Sequence, residues 1–96
     1  LAGSRLYRWR LSEGQTATPQ TMHHDFMEIL YILTGRVRVA LEDRCRCLNA
    51  DEVLFFDGGQ RHAYHALDDA ELISIHAPKN LRFSEMLLQQ ARASIV

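Results

Sequence analysis

His24-Asp25-Phe26-Met27-Glu28-Ile29-Leu30-Tyr31-Ile32-Leu33-Thr34-Gly35 runs from a polar start through an apolar stretch to a glycine stop. Glu28 to Leu33 reads as the strongest strand of the chain. It is apolar on both faces, so both are expected to be covered, by a second sheet or by a partner subunit. Side chains alternate along an extended segment, so His24 and Glu28 are expected to share a face and point into one cavity. Another histidine, His62, follows the acidic-then-aromatic run Asp51 to Phe56. Arriving from a distant strand, it would complete a two-histidine, one-carboxylate set. Such a set suits a divalent transition metal and leaves coordination positions open.

Outward from this stretch, short β patterns alternate with turns. Leu6 to Leu11 puts Tyr7, Trp9 and Leu11 on one face and Arg8 and Arg10 on the other, the pattern of a half-buried strand. Thr16 to Met22 is weaker, and Pro19 demotes it toward an edge or loop. Gly35 is expected to let the chain reverse, so that Arg36 to Leu41 becomes an antiparallel neighbour with Val37, Val39 and Leu41 facing inward. Cys45 to Leu48, Val53 to Phe56, Arg61 to Ala66 and Glu71 to Ala77 are further strands. His62, Tyr64 and Ala66 share one face of theirs, and His65 has the opposite parity. Beyond Pro78, Ser84 is a good N-cap for a terminal helix over about 84–94, with Glu85 at its positive end. Phe83, Leu87, Leu88 and Ala91 fall at helical spacing and are expected to pack on the sheets or on a neighbour. Short strands at this spacing imply an all-β sandwich or small barrel.

Composition narrows the function. The chain has 96 residues, 47% of them hydrophobic, enough for one core and one domain over 1–96. Eleven basic against twelve acidic residues give a net charge of -1, so no nucleic-acid or membrane surface is held by gross electrostatics. No apolar run approaches the ~20 residues of a membrane-spanning helix, and a cytoplasmic location is expected. Cys45 and Cys47 are too few and too close for a disulfide framework or a four-ligand zinc site. They read as apolar-behaving thiols on one strand face. The chain opens at Leu1 and ends at Val96 inside a helix pattern, as expected of a domain excised from a longer polypeptide.

At the residue level the chain resembles the cupin superfamily. His24, Glu28 and Gly35 match the spacing of the first cupin motif. Asp51, Val53 to Phe56, Gly59 and His62 align with the second. The resemblance covers about residues 4–78. It implies a double-stranded β-helix, or jelly-roll barrel, followed by the short helix. It also implies three alternatives: metal held by His24, Glu28 and His62 with His23 swinging in as an irregular fourth ligand, metal held by those three and water, or a pocket without metal. Where the family's first histidine stands, this chain has Met22, and methionine sulfur is a poor ligand for hard divalent metals. Ala50, Asp57 and Ala66 also depart from the motifs, in a direction that relaxes constraint on catalysis. Met22, Phe26 and Tyr64 are expected to line the cavity, and His76 to be a satisfied core or rim histidine.

Two function classes follow. In the first, the stretch His24 to Pro78 is similar to the small-molecule-sensing cupin domains of bacterial transcription regulators, of the arabinose-regulator type or fused to a helix-turn-helix. The partners implied are a small ligand and a second copy in a homodimer, with DNA contacted by another segment. In the second, the domain is a metal-dependent dioxygenase or isomerase holding iron, manganese, nickel or zinc. Its metal would act as Lewis acid or redox centre.

Overall fold

The computed structural model describes residues 4–19 and 24–79. The expected helix over 84–94, Met22 and His23 lie outside the described residues. Within them, the strands are β1 (Arg5–Leu11), β2 (Thr16–Ala17), β3 (Phe26–Thr34), β4 (Arg36–Leu41), β5 (Cys45–Asn49), β6 (Val53–Asp57), β7 (His62–Ala66) and β8 (Ala70–Pro78). They form two four-stranded antiparallel sheets, ordered β1-β8-β3-β6 and β2-β7-β4-β5. The all-β expectation holds.

The period-two pattern explains how the sheets meet. Val37, Val39 and Leu41 on β4, and Tyr64 and Ala66 on β7, are buried, while Arg36 and Arg38 are exposed. Leu30, Ile32 and Leu72 supply the facing layer and are fully buried. Each such side chain contributes about 1.5–3 kcal/mol by leaving water. This one shared layer closes the sheets on each other and carries the site at its edge.

Two expectations need correction. Gly35 does not turn β3 into an antiparallel pair with β4. β3 already has β6 and β8 on its two sides, so the chain crosses to the facing sheet, where β4 pairs with β5 and β7. A bulge between Ile32 and Thr34 bends β3 just before this crossing. Gly35 takes φ +79, and a Cβ there would lie 2.3 Å from the Asp69 carbonyl oxygen. It is thus the residue that lets the chain change sheets. Nor do Cys45 and Cys47 behave as apolar thiols: both are free and exposed on β5, the outermost strand of its sheet.

Both faces of β3 are apolar, as read from the sequence, but only the inner one meets the second sheet. Across the outer face the register aligns Leu6, Ile75, Ile29 and Phe55 in one row. Leu6 is 64% and Phe55 56% exposed.

Candidate functional site

Glu28 stands near the start of β3, paired with Phe56 on β6 and His76 on β8. Its parity sends the carboxyl inward, where it is 2% exposed. Oε1 accepts three hydrogen bonds: from Tyr64 Oη at 3.0 Å, Ser74 Oγ at 2.8 Å and His76 Nε2 at 2.9 Å. Tyr64 comes from the facing sheet, so one oxygen ties the two sheets together. Burial, and then the Glu28 charge, push the Tyr64 phenol well above its ordinary value of 10.0, so it stays a neutral donor.

The second carboxyl oxygen, Oε2, faces His62 Nε2 at 3.2 Å, with the two side chains 3% and 0% exposed. The other ring nitrogen, Nδ1, lies 3.0 Å from the Gln60 carbonyl oxygen. A carbonyl only accepts, so Nδ1 carries a hydrogen, and in the neutral imidazole Nε2 then holds the lone pair. His62 Nε2 is buried and has no hydrogen-bond partner; its approach to Glu28 has an ion-pair distance without hydrogen-bond alignment. With the imidazole neutral, two acceptors confront each other in the barrel interior. A buried acceptor left unmatched costs about 1–3 kcal/mol, so this spot suits a donor or a cation. Phe56 and Tyr64 hold the imidazole from two sides, with ring centroids 5.1 and 5.5 Å away.

His62 also lines a solvent-open cavity of about 560 Å³. The end of β4 supplies Ala40, Leu41 and Glu42, the start of β7 Arg61, His62 and Ala63, and the chain after β2 Thr18. This is the end of the barrel at which β3 begins and β8 finishes. Glu42 Oε1 accepts the Arg61 backbone N–H at 3.0 Å and fixes that wall.

Of the residues singled out in the sequence, Glu28, His62 and Tyr64 come together. His24 does not join them. β3 begins only at Phe26, so the alternation that linked His24 to Glu28 does not reach it. His24 lies in a turn and is exposed, with Nδ1 only 2.3 Å from where a Cβ on Gly59 would stand. Phe26 shares the inward parity of Glu28 and is half-buried. His76 is satisfied by Glu28, as expected, and packs against Tyr7 in a tilted arrangement with ring centroids 5.0 Å apart. Ser74 was missed; its signal is the single hydroxyl in the alternation Leu72-Ile73-Ser74-Ile75-His76. His65 points outward to Thr16 Oγ1 at 2.7 Å.

Among the described residues no group of three or more His, Cys, Asp or Glu side chains is arranged to hold a metal ion. Glu28, His62 and His76 do meet, but the two imidazoles approach different oxygens of one carboxyl group, not a common centre. The described residues supply two convergent donors to a metal, His62 Nε2 and Glu28 Oε2, and no third.

Facing antiparallel sheets with a histidine–glutamate cluster at one end define a jelly-roll barrel with an internal polar site. The chain belongs to the cupin family, whose cupin domain profile matches residues 7–76. No curated protein matches it. Among solved structures it is similar to the Cupin_2 domain of an XRE family transcriptional regulator from Enterobacter cloacae, at 16% identity and TM-score 0.72, covering 80% of this chain and 83% of that one. An HTH_3 family transcriptional regulator from Vibrio cholerae matches at 20% identity and TM-score 0.72, over 81% of this chain and 44% of that one. KdgF from Halomonas sp. matches at 23% identity and TM-score 0.67, over 80% and 71%. At these identities the likeness shows the fold alone.

Proposed function

We propose that this chain is a small-molecule-binding cupin domain, acting as the effector-sensing part of a bacterial transcription regulator. The observation that carries the binding reading is the buried His62 Nε2, which has no hydrogen-bond partner, beside Glu28 Oε2 at the cavity end of the barrel. Two of the similar structures are transcriptional regulators, which supports the regulatory setting. A ligand shifts a regulator only through different affinity for its two states. The apolar row Leu6–Ile75–Ile29–Phe55 suits a second copy packed on the outer face, so that site and dimer share β3 and β8.

The metalloenzyme is the second reading. It is favoured by the His62 tautomer, since an Nδ1–H bonded to a backbone carbonyl leaves Nε2 as a metal ligand is held. It needs a third donor, from His24 or His23, brought to the Glu28–His62 pair. KdgF is a neighbour in fold.

Elemental analysis of the purified protein, beside thermal melts of wild type and His62→Phe with a panel of organic ligands, separates the two. The sensing reading expects metal well below one equivalent, and a ligand-induced rise in Tm that the variant loses. One equivalent of transition metal, lost in the variant, sinks it and favours the enzyme. A helix-turn-helix encoded beside this segment supports the regulatory setting.

A further inference from the structure

Cys45 and Cys47 sit on β5 with one residue between them, and the barrel site uses neither. Leu48 is buried, so by alternation both thiols face outward, away from the core. Both are free and exposed. Two steps along an extended strand set their Cβ atoms about 6.6 Å apart. A disulfide needs its Cβ atoms about 3.8 Å apart, so the pair remains a dithiol while β5 stays extended.

A longer bridge fits where the disulfide does not. Cu(I) is a soft ion that prefers thiolate ligands and takes two of them in a line. With metal–sulfur bonds of about 2.3 Å, the two sulfurs stand about 4.6 Å apart. The side chains reach that spacing by leaning toward each other along the strand. Structural zinc would need four ligands. Among the described residues no third His, Cys, Asp or Glu joins these two.

The surroundings match the charge of such a complex. Two thiols that take up Cu(I) release two protons, and one cation between two thiolates leaves one net negative charge. Cys47 pairs across the strands with Arg38, and Cys45 with Ala40. Arg38 is exposed and directly across from Cys47, where it supplies the compensating charge. Arg36 is the diagonal neighbour of Cys47, and the charges of these two side chains interact, although Arg36 is also paired with Asp68. Ala40 leaves the Cys45 side uncrowded.

We propose that Cys45 and Cys47 together hold one soft, two-coordinate metal ion of the Cu(I) class on the outer face of β5. The site lies apart from the Glu28–His62 cluster and does not depend on it. The full chain, stripped with a chelator and kept under ascorbate without oxygen, is titrated with Cu(I) against the chromogenic chelator bathocuproine disulfonate. Wild type and His62→Phe are both expected to withdraw one equivalent of copper and to develop a thiolate-to-copper band in the ultraviolet. Cys45→Ser and Cys47→Ser, at exposed positions, are each expected to keep the fold by circular dichroism and to lose both the equivalent and the band. Arg38→Gln is expected to bind more weakly, by a margin that added salt narrows.

A wild type that takes up no copper overturns the assignment, as does unchanged binding in either cysteine variant or in Arg38→Gln. Half an equivalent, one ion between two chains, overturns the site on a single strand. Uptake that survives in the double variant Cys45→Ser, Cys47→Ser, or that a folded His62→Phe loses, puts the ion elsewhere and overturns it too.

Discussion

A single carboxylate oxygen, Glu28 Oε1, collects donors from β7 and β8. Glu28→Ala strands three partners at once, Tyr64 and Ser74 buried and His76 partly so, and is expected to destabilise by about 3 kcal/mol or more, read from urea unfolding. Tyr64→Phe removes one donor of three, for about 0.5–1.5 kcal/mol. The same phenol sets an alkaline limit. Its folded pKa is raised, so its contribution is fully present below the ordinary value of 10.0 and is lost as pH rises from there toward the folded value. Melting temperature measured against pH is expected to fall above pH 10, and less steeply in Tyr64→Phe. Tyr31, raised by its hydrogen bond to Asp51, keeps some of that slope in the variant.

At the element scale, Gly35 is where β3 leaves one sheet for the other. Gly35→Ala is strained by its positive φ and also drives a Cβ into the Asp69 carbonyl, which is backbone and cannot step aside. The expected loss exceeds the ~1 kcal/mol of φ strain alone. Gly14→Ala is the control, with φ +84 but nothing within 4 Å. Unfolding free energies that are equal for the two would show that the close approach carries no weight. The contrast also marks what the sequence could show. Alternation located β4 with its inward residues and the shared face of His62, Tyr64 and Ala66 on β7, because period two is a local property. The partner of β4 was not legible, since pairing depends on which strands already fill the sides of β3. The site divides likewise. Glu28, His62 and Tyr64 lie in regular strands and followed parity into the interior. His24 precedes the strand, so its direction comes from the turn and the packing on Gly59. Ser74 was hidden because a hydroxyl at an inward position has no meaning until its acceptor is known.

For the whole molecule, among the described residues, the outer face of the β1-β8-β3-β6 sheet carries exposed apolar side chains. Leu6, Val53 and Phe55 are exposed across it, and contiguous apolar surface of this kind marks an interaction site. Light scattering is expected to find a dimer in wild type and a monomer in the double variant Leu6→Glu, Phe55→Glu; a monomeric wild type removes the second copy from the account. The surface also sets an acid limit. Hydrogen bonds from Lys79, Arg36 and Arg8 hold Asp57, Asp68 and Glu71 below the usual carboxylate range. Their contribution is present above the ordinary values of 3.8 to 4.5 and is lost as pH falls through the depressed ones. Because these pairs are exposed the effect is small, and added salt is expected to flatten it. The central claim is that the barrel binds a small organic molecule where His62 meets Glu28. Its most direct test is a ligand screen by amide chemical shift on wild type and His62→Phe. Hits are expected to move residues 40–42 and 61–63 in wild type and to leave the folded variant untouched. Hits that persist in the variant, or that map to the other end of the barrel, contradict it.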